Sequence, residues 1–114
     1  MTQTIKIGDR NVTFKANAAT TYYYRNKFNR DLFMDFQKLT SGEMSEEVFR
    51  ICQHLAYIMA WQQDKTIPED ELEWLESFDV FPFKDIAVPL ITLWQKSNIT
   101  NVEPKKSQSR QKDK

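Results

Sequence analysis

Apolar residues recur every second position at the start of the chain and every three or four positions thereafter. Ile5 and Ile7 alternate with polar neighbours, Gly8-Asp9-Arg10-Asn11 carries turn chemistry, and Val12, Phe14 and Ala16 alternate again. This predicts a β-hairpin over about residues 4–15. Two strands alone are marginal in water, so the hairpin must pack on the rest of the chain or on another chain. From Ala18 onward Tyr24, Phe28, Leu32, Phe36 and Leu39 mark one face of a helix. Asn29-Arg30-Asp31 interrupts it, Asp31 can cap a second segment, and Gly42 is the expected stop.

The next pattern is the clearest. Ser45 suits an N-cap, Glu46 and Glu47 suit the positive end of the helix dipole, and Val48, Ile51, Cys52, Leu55, Ile58 and Met59 form a buried stripe. Phe49, Ala56, Ala60 and Trp61 widen that stripe, which predicts a central helix over Ser45 to Gln63. Thr66 and Glu69 have capping-box spacing around Pro68, so a further helix is expected to open there. Leu72 and Leu75 would mark its inner side, with Trp74 and Phe78 flanking. A last helix is expected over about residues 85–96, with Ile86, Leu90, Leu93 and Trp94 inward and Pro89 in a first turn or at a kink. The fold class is therefore mainly α: four or five helices around a central helix, a short N-terminal β-hairpin, and one domain over residues 1–97.

Composition sharpens this. With 114 residues the chain is one domain's worth, and it can bury about 65% of its unfolded surface without staples. Sixteen basic groups match sixteen acidic ones, which argues against a general affinity for polyanions. One cysteine and one histidine exclude an internal disulfide framework and the usual zinc arrays, and two glycines leave little room for a phosphate-cradling loop. The charge is unevenly spread. Residues 103–114 carry five basic and two acidic groups, and residues 1–102 balance them at −3. That end has no large apolar residue, so residues 98–114 are expected to be a disordered basic tail. The N-terminus has no apolar leader segment, and no apolar run reaches the ~20 residues that span a bilayer.

Three clusters are candidates for chemistry. Residues 64–79 carry seven carboxylates against Lys65 alone. Glu69, Glu73 and Glu76 would share one helical face, which reads as a solvated or partner-facing surface before it reads as a cation site. Tyr22 to Arg30 mixes aromatic and basic residues, as a single-strand nucleic-acid surface does, but the helical period turns Tyr24 and Phe28 inward and lets Lys27 pair with Asp31. Cys52 lies on the apolar stripe, and His54, two positions on, points elsewhere, so they form no nucleophilic dyad. No acid–base, nucleophilic or phosphoryl constellation is present, so neither an enzyme nor a cofactor is expected.

The order of segments carries a resemblance. Val12-Thr13-Phe14-Lys15-Ala16 leads to Ala19-Thr20, Tyr24-Arg25, Phe28 and Asp31-Leu32; then come Leu55-Ala56-Tyr57-Ile58-Met59-Ala60, Ile67-Pro68, Glu73-Trp74-Leu75, Phe78, Leu90-Ile91, Leu93-Trp94 and a lysine-rich end. Over about residues 11–106 the chain resembles the small tail tube assembly chaperones of long-tailed phages and prophages of Gram-positive bacteria. Each fragment is weak alone; their order and spacing together are more specific. One departure is Asn29, where the family pattern implies glycine.

The resemblance implies a non-enzymatic helper in the host cell cytoplasm, absent from the mature virion. It would bind the tape measure protein, keep it soluble and help recruit tail tube subunits. It also implies a longer frameshifted form that engages the major tail tube protein; an adenine run encoding Pro104-Lys105-Lys106 would be a slippery site. Self-association is a further expectation. For capture of the tape measure, the candidate contact residues are Glu69, Glu73, Trp74, Glu76, Phe78, Phe81 and Phe83. The competing reading of these aromatics is plain core. The alternative function, a small phage regulator binding nucleic acid through Tyr22 to Arg30 and the basic tail, sits poorly with a net charge of zero.

Overall fold

The computed structural model describes residues 1–98, and the expected basic tail, with Pro104-Lys105-Lys106, lies beyond them except for Asn98. Strands β1 (Thr2–Ile7) and β2 (Arg10–Lys15) form an antiparallel pair with unbroken register from Thr2↔Lys15 to Ile7↔Arg10. The turn is therefore only Gly8-Asp9; Arg10 and Asn11 belong to the ladder. Gly8 has φ +65°, the left-handed backbone that the first central residue of a tight hairpin turn requires. The inner face carries Ile5, Ile7, Phe14 and Ala16, all buried, as the alternation predicts.

Helices α1 (Thr20–Phe28) and α2 (Leu32–Leu39) are separated by the expected interruption. Asn29 adopts φ 56°, ψ 41° and its N–H donates to the Arg25 carbonyl, a left-handed helix cap. Asparagine is the usual non-glycine residue in that conformation, so the substitution keeps the turn. Asp31 caps α2 by accepting from the Phe33 and Met34 amides at 2.9 and 3.4 Å. Helix α2 ends at Leu39, before Gly42.

Helix α3 (Glu46–Gln63) is the centre, capped by Ser45 and packed on β2, α1, α2, α4 (Glu71–Glu76) and α5 (Phe83–Asn98). All six residues of its predicted stripe are buried. Phe49 departs from the expectation: it stays exposed at the helix surface, edge-on to Phe83 at 4.7 Å. Near the other end of α3, buried Thr20 and Gln62 satisfy each other at 2.8 Å, and Gln62 donates to Asn17 at 3.1 Å. This ties the start of α1 to the end of α3 and leaves no polar group there unpaired.

Helix α4 corrects two expectations. Thr66 does not cap it: its amide and hydroxyl both bond Asp64 Oδ1, and Asp70 is the N-cap, accepting from the Leu72 amide at 3.1 Å. The short local bonds to Asp64 outcompete the capping box and shift the helix start to Glu71. The buried face is also shifted: Leu75 packs partly against the core as expected, but Trp74, not Leu72, takes the fully buried position. Trp74 is 2% exposed, whereas Leu72 is 61% exposed. Helix α5 starts two residues earlier than expected, and Pro89 lies inside it. Its inner side is the predicted one, with Ile86, Leu90, Leu93 and Trp94 buried.

Candidate partner-binding surface

The seven candidate contact residues divide among four places. Glu69 precedes α4 and is exposed; its carbonyl, not its carboxylate, takes the Lys27 ammonium. Lys27 thus binds α4's approach and does not pair with Asp31. Glu73 and Glu76 face solvent from α4, so Glu69 does not share a helical face with them. Trp74 is core. It stands edge-to-face with Tyr57, Phe78 and Phe81 at 5.7, 4.9 and 6.1 Å. Burial removes Trp74 from direct contact with a partner, and Phe78 and Phe81 present only part of their surface because they pack against it. Arg10 completes this cluster from the hairpin. Its guanidinium lies 3.9 Å over the Phe78 ring and donates to the Ser77 carbonyl and hydroxyl at 3.0 and 2.9 Å.

The loop before α4 is held by further bonds. Tyr57 donates to the Pro68 carbonyl at 2.6 Å. Burial, together with the negative charges of Glu69, Glu71 and Asp70, pushes its hydroxyl up to about 12. His54 stacks on Phe28 at 3.8 Å and bonds Glu71 Oε2 at 2.7 Å. The single histidine is therefore a strut between α1, α3 and α4. Cys52 is buried, and burial pushes its thiol up to about 12, far from a reactive thiolate. Among the described residues, no three histidine, cysteine or acidic side chains converge as metal ligands.

The aromatic–basic segment is divided: Tyr24 is buried and Tyr23, Phe28 and Arg30 are half-buried, while Tyr22, Arg25, Asn26 and Lys27 are exposed. Tyr24 is buried and donates to Asp35 Oδ2 at 2.8 Å. Arg30 grips the same carboxylate with two bonds, 2.6 and 2.8 Å, and reaches Glu47 at 3.2 Å; Lys38 closes the network on Glu47 at 2.9 Å. Burial acts to raise the Asp35 carboxyl, but the Arg30 and Tyr24 bonds and the Arg30 and Lys38 charges outweigh it and hold the carboxyl below its ordinary value. These contacts fix α2 against α1 and α3.

Exposed apolar groups also stand on other surfaces: Tyr22, Leu72 and Val80 singly, and several along α5. A groove of about 300 Å³ runs between the α2–α3 loop and α5, with Leu39, Ala87 and Ile91 in its floor and Met44 and Val88 on its rims. Val88 is 61% exposed and Met44 58%. Phe83 lines the start of the groove beside Phe49. Eleven residues along α5, about 16 Å further, Phe33 projects from α2 over Trp94 at 5.7 Å and stays mostly exposed. Of the candidates read from sequence, Phe83 alone lies on this row. Phe33, Met34, Met44 and Val88 were not singled out. Their signal in the sequence is faint: each is an apolar residue off the inner stripe of its own helix or in a loop.

No family model matches the chain, and no curated protein and no solved structure matches it. No helix among the described residues is long and apolar enough to cross a membrane.

Proposed function

We infer that this chain is a non-enzymatic assembly chaperone of the phage tail, which binds the tape measure protein and keeps it soluble in the host cytoplasm until tail tube subunits enclose it. The observation that carries the reading is the groove with exposed Met44 and Val88 and half-buried Phe83 in its lining, with exposed Phe49 against Phe83 and exposed Phe33 over Trp94 on the same helix α5. Scattered exposed apolar residues need no explanation, but apolar residues gathered along one groove fit a protein-binding surface. Methionine and phenylalanine at its rim suit a partner whose own surface varies along its length. A long, largely helical tape measure presents such apolar stripes. The segment order described above supports the same reading independently. Glu73 and Glu76 act as solubilising margin, and the partly exposed edges of Phe78 and Phe81 are secondary contacts.

The test is co-expression with the tape measure protein encoded in the source genome, followed by affinity capture on this chain. The expected outcome is a soluble tape measure that co-purifies. An insoluble tape measure with nothing captured overturns the reading, and salt-sensitive retention on DNA would favour the nucleic-acid alternative. Recruitment of the tube protein by a frameshift-extended product belongs to the same proposal; a second, heavier product from the native gene checks it.

A further inference from the structure

Among the described residues the hairpin is the whole sheet, and neither of its edges has a neighbouring strand there. Register decides which backbone groups this leaves free. With Ile7 facing Arg10 across a two-residue turn, the hydrogen-bonded pairs are Ile7–Arg10, Ile5–Val12 and Gln3–Phe14. The N–H and C=O groups of Thr2, Thr4 and Lys6 therefore point away from β2. Among the described residues only the Gln3 side chain approaches this edge, at 3.4 Å from the Thr4 carbonyl. Thr2, Gln3, Thr4 and Lys6 are all exposed. Both strands pack on a helix, β2 on α3 and β1 on α5, but the β2 edge is more sheltered because Thr13 and Lys15 are half-buried. Natural edge strands are usually blunted by proline, a bulge or several charges. β1 has no proline and no bulge, and Lys6 is its one charge.

The free edge of β1 is complementary to itself. Turned about a two-fold axis at Thr4, it sets Thr4 against Thr4 and Thr2 against Lys6 of the other copy. Every outward group then finds a partner, which makes six backbone hydrogen bonds, and Lys6 never faces Lys6. Thr4 already bonds Thr13 across the sheet at 2.8 Å, so the pairing would extend a threonine row over four strands. We propose that two copies of this chain associate through β1, antiparallel about Thr4, into one four-stranded sheet of order β2-β1-β1-β2. A strand edge buries less than a standard interface, so the dimer forms and dissociates with concentration. This goes beyond the capture of a tape measure and uses a different part of the surface.

Site-directed cross-linking of the full chain tests the register. Buried Cys52 stays silent, so each introduced thiol reports alone. Thr4→Cys is expected to give a species of doubled mass with a short bismaleimide. Thr2→Cys and Lys6→Cys are each expected to stay single, yet to cross-link when mixed. Thr4→Pro removes only an outward amide and is expected to shift sedimentation to the monomer with an unchanged helical spectrum. The proposal fails if Thr4→Cys stays single. It fails equally if all three variants cross-link alike, or if Thr13→Cys on the other edge is the one that couples. A monomer at every concentration also overturns it, and would leave the edge to a strand from another protein.

Discussion

The aromatic cluster of the segment from Thr66 to Pro82 and the rims of the groove beside α5 use large apolar side chains in opposite ways, although Leu72 and Val80 of that segment are themselves exposed. In the first, Trp74, Phe78 and Phe81 stack on one another, on Tyr57 and under Arg10, so aromatic density becomes internal cement. In the second, Phe33 and Val88 stand at the surface because α2 and α5 bury their inner faces elsewhere, and Met44 stands there from the loop between α2 and α3. Aromatic density along a sequence measures how much apolar surface exists. It does not say whether the fold has room to bury it.

The largest test of this contrast is Trp74→Ala. It should cost about 3–5 kcal/mol of stability by urea denaturation, as large aromatic truncations in a core do; a benign result would return Trp74 to the list of surface contacts. Next is Arg30→Ala, which leaves the buried Asp35 carboxylate without its main partner. Arg30 is 37% exposed on its side chain, so water recovers part of the loss, and about 1–2 kcal/mol is expected. The same pair sets a pH dependence. The folded state holds the Asp35 proton more weakly than the unfolded chain does. Its stabilisation is therefore complete above about pH 4, the ordinary carboxyl value, and drains away as the pH falls below that. An Asp35→Asn variant should lose less stability on acidification, read by thermal melts from pH 6 to pH 3.

Val88→Asp and Met44→Asp should do the reverse of Trp74→Ala. Stability should move by less than about 0.5 kcal/mol, as for surface sites, while capture of the tape measure should fall about tenfold or more, a contact worth roughly 1.4 kcal/mol. If both leave capture intact, the groove is not the docking face. The smallest effect belongs to charge reversal at Glu69, Glu73 and Glu76 together. A loss of capture of about threefold is expected, fading at high salt because the groups are exposed. A larger, salt-resistant loss would move the docking face to α4.

Much of the fold was legible because it rests on local periodicity. Alternation in the hairpin, the stripe of α3, the inner side of α5 and the caps Asp31 and Ser45 all follow from short-range chemistry. Helix α4 departs from its sequence pattern in its start and in part of its face: Leu75 packs inward as expected and Leu72 does not. It is only six residues long, too short for a stripe to declare itself. Asp64 draws Thr66 into a local turn, and Trp74 is buried by Tyr57 of α3 and by nearby Phe78, which Arg10 of the distant hairpin covers. The groove was hidden for a related reason. Whether Phe33 or Val88 is exposed depends on how α2 and α5 pack, and Phe83 fell among the candidates only because it ends an aromatic run.

The clamp of Arg10 on Ser77 sets a timetable for synthesis. The bond closes across 67 residues, which a ribosome adds in about 3–13 s. During that interval Ile5 and Ile7 have emerged without α5, the helix that β1 packs on. On a polysome, neighbouring nascent chains would meet with bare hairpins before any of them could finish its core. Packing of the hairpin is therefore the last part of the core to be completed, since β1 waits for α5.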